Sequence, residues 1–103
     1  MALPVLTDQQ RADALARATE ARRRRAAVKS GLKIRQYSVS EVLEAAAAEE
    51  ALAKMRVRDL LESLPRVGPQ RADQLLQEFG IAASRRLKGL GPHQRQTLID
   101  RFG

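Results

Sequence analysis

From Asp8 to Lys29 the chain has no glycine and no proline, and alanine and arginine dominate. Both are strong helix formers, so the stretch restricts the chain to folds built around one long helix. Thr7-Asp8-Gln9-Gln10 supplies the start as a capping box, with Thr7 as N-cap and Gln10 three residues on. Ser30-Gly31 supplies a stop, with Gly31 suited to the left-handed position that ends helices. Such a helix, about 22 residues, would be roughly 33 Å long. Its apolar face is thin, chiefly Leu15, Ala18, Ala26 and Val28. Propensity therefore favours this helix more than packing does, and its outer part is expected to fray when free.

The remaining segments are shorter. Ser38 to Glu41 repeats the capping box and opens a second helix with Val39, Val42, Leu43, Ala46 and Ala47 on one side. Val57, Leu60, Leu61 and Leu64 mark a third, ending before Pro65. Pro69 to Phe79 reads as a fourth, with Gly80 at its end and Leu75, Leu76 and Phe79 as its buried side. Gly91-Pro92 opens a fifth carrying Leu98, Ile99 and Phe102. No period-2 strand pattern occurs. The 103 residues leave room for one modest core. The chain reads as all-α: a basic N-terminal helical arm over 1–36, then a compact bundle of short helices over 37–103.

Charge and composition narrow the function. Lys and Arg number 19 against 12 Asp and Glu, a net charge of +7. Residues 1–36 carry +6, residues 37–62 carry −3 and residues 63–103 carry +4. Two basic ends around an acidic middle point to a polyanionic partner. With no Cys and one His, thiolate zinc sites, cysteine nucleophiles and His-rich metal sites are excluded, and no cofactor is expected. Tyr37, Phe79 and Phe102 are too few aromatics for a base-stacking platform. No apolar run approaches a membrane span, and Met1 to Leu6 shows no secretory pattern. A cytoplasmic protein is the expectation.

The most specific stretch is Leu64-Pro65-Arg66-Val67-Gly68-Pro69-Gln70-Arg71-Ala72. An apolar helix end meets a tight turn and leads at once into another helix. Gly68 is suited to positive φ and to close approach of another backbone. The start of the following helix presents unpaired amides and the positive end of its dipole, a ready site for phosphate oxygens. Arg71 adds a cation one turn in. The ordinary alternative is a helix–helix turn punctuated by Pro and Gly; the flanking Leu, Val and Ala and the surrounding charge favour the functional reading. The pattern resembles the helix-hairpin-helix motif, which implies a grip on the DNA backbone at Pro65, Arg66, Val67, Gly68, Gln70 and Arg71 without sequence readout. Arg66 stands where that motif usually has its first Gly, and Pro69 removes one amide donor. Such hairpins also hold a monovalent cation through backbone carbonyls, which Arg66 disfavours here.

A second basic element, Ser84-Arg85-Arg86-Leu87-Lys88-Gly89-Leu90-Gly91, lies between the fourth and fifth helices. Its length suits two successive turns, with Ser84 capping a single helical turn and Gly89 and Gly91 permitting the second reversal. Leu87 and Leu90 are expected to point inward, leaving Arg85, Arg86 and Lys88 outward from a firm base. Basic surface loops are common, but the preceding hairpin favours a function here. Two helices joined this way resemble the helix-two-turns-helix domain of some DNA glycosylases and of a ribosomal-RNA-binding protein. Arg22-Arg23-Arg24-Arg25 spreads around most of a helix circumference, since each residue turns by about 100°. With Lys29 and Lys33 it forms a candidate second basic face along phosphate, unless it is only a solubilising helix or the acidic residues of 41–62 draw it inward. His93 is assigned no chemistry.

Taken whole, the chain resembles the actinobacterial, or mycobacterial-type, integration host factor family. The likeness rests on Ala2-Leu3-Pro4, Leu6-Thr7, Gln10-Arg11-Ala12, Lys54-Met55, Leu60-Leu61-Glu62-Ser63-Leu64-Pro65, Val67-Gly68, Arg85 to Gly91 and Arg101-Phe102-Gly103. The resemblance implies a nucleoid-associated protein that binds double-stranded DNA with little sequence preference and bends or compacts it. It also implies a part in phage site-specific integration, hence a phage integrase as partner, and chromosome organisation. The basic loop, Arg85, Arg86 and Lys88 with Gly89, is by this resemblance the principal DNA contact. A monomer is expected.

Two rivals remain. Glycosylases share only the two-turn part, and the pair Glu49-Glu50 has no convergent partner, so no enzyme is expected. A ribosomal or other RNA-binding role uses the same helical domain, and charge alone does not separate RNA from DNA.

Overall fold

A computed structural model describes residues 5–103; the Ala2-Leu3-Pro4 part of the family likeness and most of the Met1 to Leu6 reading lie outside the described residues. Six α-helices and one 3-10 turn follow in order: α1 (Asp8–Lys33), α2 (Val39–Ala46), α3 (Glu50–Ala53), α4 (Val57–Glu62), α5 (Pro69–Phe79), the 3-10 turn (Leu87–Gly89) and α6 (Pro92–Phe102). No strand forms among the described residues; the one β-pairing is an isolated antiparallel bridge between Arg56 and Arg86.

Both capping boxes form. The Thr7 hydroxyl accepts from the Gln10 amide while the Gln10 side chain accepts from the Thr7 amide, and Ser38 and Glu41 do the same at α2. The Ser38 amide and hydroxyl hold the Glu41 carboxyl below the usual carboxylate range.

α1 runs past the expected stop. Gly31 is buried within the helix, and a Cβ there would lie 2.4 Å from Cδ2 and Cε2 of Tyr37. The glycine lets the tyrosine ring lie on the helix and does not end it. The end comes four residues later. The Gln36 amide donates to the Gly31 carbonyl and the Arg35 amide to that of Leu32, with Arg35 at φ 61°. That is a Schellman closure with an arginine where glycine is usual. α5 closes the same way with the expected residue: Gly80 sits at φ 66°, Ile81 donates to Leu76 and Gly80 to Gln77.

The core joins α2, α3, α4, α5 and α6 to the last third of α1 through Val28, Leu32, Leu43, Leu52, Met55, Leu60, Leu61, Leu75 and Leu98. Leu15, an expected face residue of α1, is 67% exposed, and Ala26 and Ala47 are exposed as well. The outer part of α1 therefore projects. The radius of gyration is 15.8 Å, against about 13 Å for a compact chain of this length.

Candidate nucleic-acid interface

The hairpin begins where α4 ends. The Val67 amide donates to the Leu64 carbonyl at 3.2 Å, closing a turn with Pro65 and Arg66 at its centre. Proline first and a positive φ second, here 65° at Arg66, define a type II turn. The second central position is the one glycine usually fills. Gly68, expected to take positive φ, is instead extended at φ −93° and serves as N-cap of α5. The left-handed residue is Arg66, because the turn places that demand two residues earlier. A Cβ on Gly68 would meet nothing within 4 Å, so the space before α5 is open. The amides of Gly68, Gln70 and Arg71 find no acceptor among the described residues, and the first hydrogen bond of α5 runs from Ala72 to the Gly68 carbonyl at 2.9 Å. Pro69 occupies the first helical position. Pro65 and Val67 are half-buried, while Arg66, Gln70 and Arg71 are exposed.

Arg58 clamps α4 to α5 around this hairpin. Its Nε lies 2.8 Å from Asp73 Oδ1 and its NH1 3.1 Å from Glu62 Oε2. The hydrogen bond to Asp73 raises the Arg58 pKa, with smaller help from its charge and from Glu62.

The basic loop is anchored across the body. Val57 donates to the Arg85 carbonyl and Leu87 to the Met55 carbonyl, both at 2.9 Å. Leu87 is buried and Leu90 half-buried, as the sequence predicts. The 3-10 turn is capped at Arg86 and not at Ser84. Arg85 does not stand free: its NH1 donates to the Gly89 carbonyl at 2.8 Å. Gly89 gives that side chain room, since a Cβ would lie 3.2 Å from Arg85 Cδ. Arg86 reaches the Lys54 carbonyl with NH1. Lys88 is exposed.

Pairing the loop with residues 55–57 creates a surface that linear reading does not show. An open cleft of about 560 Å³ is lined by Arg25, Lys54, Arg56, Arg86 and Lys88, with Asp59 as its one acid. Asp59 pairs with Arg56 at 3.3 Å and Lys54 with Glu50 at 3.2 Å, so net positive charge remains. Lys54 and Arg56 are not among the contacts expected from the sequence. The available signal was the alternation Lys54-Met55-Arg56, with Met55 buried and both cations exposed.

The arginine run divides. Arg22 and Arg23 are exposed and meet only Thr19 and Glu20 on their own helix. Arg24 makes a two-pronged pair with Glu49, both contacts at 2.9 Å. Its hydrogen bond holds the Glu49 carboxyl low and raises the arginine's own pKa. Arg25 donates to the Ala51 carbonyl at 3.1 Å while still lining the cleft. Lys29 is half-buried. Lys33 is exposed, but its ammonium donates to the Glu62 and Leu64 carbonyls at 3.2 and 3.1 Å. The acidic middle thus does draw part of the arm inward.

The family model described as an S13-like H2TH domain matches residues 32–102. Integration host factor of Mycobacterium tuberculosis is 50% identical over 103 residues, covering 100% of this chain and 98% of that protein. The chain belongs to the actinobacterial integration host factor family. Integration host factor of Mycolicibacterium smegmatis is 49% identical, with 99% of this chain and 97% of the relative covered. That of Streptomyces coelicolor is 48% identical over 100% and 96%. A solved structure of sIHF bound to an 8bp palindromic DNA superposes with a TM-score of 0.83 at 44% identity, covering 85% of this chain and 99% of that one. This integration host factor family member is all-helical, as its sequence predicts, with the long first helix and the two-turn domain in place.

Proposed function

We propose that this chain is a nucleoid-associated architectural protein that binds duplex DNA with little sequence preference and bends or compacts it. The observation that carries the reading is the cationic cleft beside the loop, with the free amides of the hairpin as a second phosphate site. Free amides open α5 at Gly68, Gln70 and Arg71, and five cations converge on the cleft beside the 3-10 turn. Amides and cations of this kind bind phosphate oxygens on any sequence. The proposed contacts are Pro65, Arg66, Val67, Gly68, Gln70 and Arg71 at the hairpin, and Arg85, Arg86, Lys88 and Gly89 at the loop. Lys54, Arg56 and Arg25 extend them. Arg22 and Arg23 remain available as a second face on the arm of residues 1–36, beside the DNA-binding body of residues 37–103.

The relatives matched over nearly the whole chain are named as integration host factors. We read the chain as non-catalytic, acting in the nucleoid and assisting a phage integrase in site-specific integration. No helix among the described residues is long and apolar enough to cross a membrane. RNA is the less favoured ligand, because relatives matched over the whole chain carry the integration host factor name and the similar solved complex holds DNA.

The test is fluorescence anisotropy on unrelated duplexes across a salt series. With about six phosphates neutralised, the log–log slope should lie near −5. Arg85→Ala with Arg86→Ala should weaken binding to all duplexes alike and flatten the slope by up to about 2. Altered sequence preference at unchanged affinity would refute the non-specific clamp.

A further inference from the structure

Lys33 stands apart from the other cations of the arm. It occupies the last turn of α1, and its ammonium lies on two carbonyls of a different element, Glu62 at 3.2 Å and Leu64 at 3.1 Å. The Glu62 carbonyl ends α4, at the negative end of its dipole, and the Leu64 carbonyl belongs to the turn that follows. The Leu64 oxygen also accepts the Val67 amide that closes the hairpin turn, so one oxygen joins the ammonium to the turn. The base of Lys33 is fixed too: Leu32 is buried beside it, and Tyr37 packs on Gly31 one residue earlier.

We propose that Lys33 is the hairpin's built-in cation. It is a positioning residue that holds the Leu64–Pro65 peptide, and through it the turn, so that the amides of Gly68, Gln70 and Arg71 face one phosphate. A hairpin that carries its own ammonium has no need of a metal ion at those carbonyls. The inference rests on the DNA-binding reading and reassigns Lys33 from direct contact to support.

Lys33→Met keeps most of the stem and removes the charge. Affinity is measured at a temperature where circular dichroism shows the variant folded. The expected result is a severalfold loss on every duplex, with a salt slope little changed. An unchanged affinity, or the same loss with the slope flatter by about 0.9, the mark of a direct phosphate contact, would overturn the proposal. Chemical rescue guards against a folding artefact, because the chain has no cysteine of its own. Lys33→Cys is alkylated while unfolded and then refolded. Aminoethylation rebuilds an ammonium of nearly lysine length and should restore affinity, whereas the neutral carbamidomethyl form should not; equal binding by both forms would count against the proposal. Wild-type affinity should be the same in potassium chloride as in tetramethylammonium chloride at one ionic strength, and a potassium requirement would overturn it. Amide exchange at Val67, whose hydrogen bond to Leu64 closes the turn, should rise in Lys33→Met when measured without DNA. That readout stands even if wild-type protein proves not to bind duplex, so the two readings fail separately.

Discussion

Replacing Arg66 by glycine should make the protein more stable and a weaker DNA binder. Arg66 sits at φ 65°, and its side chain has no hydrogen-bond partner among the described residues. A left-handed backbone costs a side-chain-bearing residue about 1–2 kcal/mol. Glycine removes that cost but loosens the unfolded chain by about 0.4–1 kcal/mol. The difference centres near 0.8 kcal/mol, which for a domain of this size raises the melting temperature by roughly 3–6 °C. On the binding side, one phosphate contact contributes about 0.9 to the salt slope, or roughly fivefold in affinity at 0.15 M salt. Thermal denaturation and anisotropy on Arg66→Gly test both signs together. Arg35→Gly is the matched control, since Arg35 holds φ 61° at the end of α1 and lies outside the proposed hairpin and loop contacts. A variant both less stable and weaker would show that Arg66 is held by contacts the reasoning omits. One more stable with undiminished affinity would remove Arg66 from the interface.

Gly31→Ala should drive its new methyl into the Tyr37 ring, 2.4 Å away, and cost about 1–3 kcal/mol in a denaturant melt. Ser38→Ala removes the acceptor that caps α2 and should cost about 0.5–2 kcal/mol by the same measurement. The Glu49 carboxyl, held low by Arg24, contributes stability above the ordinary carboxylate pKa, and that contribution is lost as pH falls through its lowered value. Glu49→Gln should therefore melt below wild type at neutral pH, with the gap closing in acid; a pH-independent gap would contradict this. Lys54→Ala with Arg56→Ala should flatten the salt slope if the cleft meets phosphate, and a slope equal to wild type would exclude it.

The helices were legible because their signals are local. Thr7 with Gln10 and Ser38 with Glu41 mark starts within four residues, and Gly80 marks an end by its own conformational freedom. The end of α1 was misread because Gly31 answers a distant ring and not the helix terminus, a demand invisible without Tyr37 in place. The same displacement occurred at the hairpin, where the positive φ expected at Gly68 fell to Arg66. The four-residue α3 is too short for any periodicity to register. The loop cations Arg86 and Lys88 were readable as a cluster in sequence. The cleft they share with Arg25, Lys54 and Arg56 was not, because it depends on a backbone pairing between segments some thirty residues apart.

Helix α1 passes without interruption from solvent into the core, and its buried end touches the base of the hairpin through Lys33. It is therefore a rod set in a socket. A load on Arg22 or Arg23 turns the whole body, and a polymer that engages both rod and socket must follow the fixed angle between them.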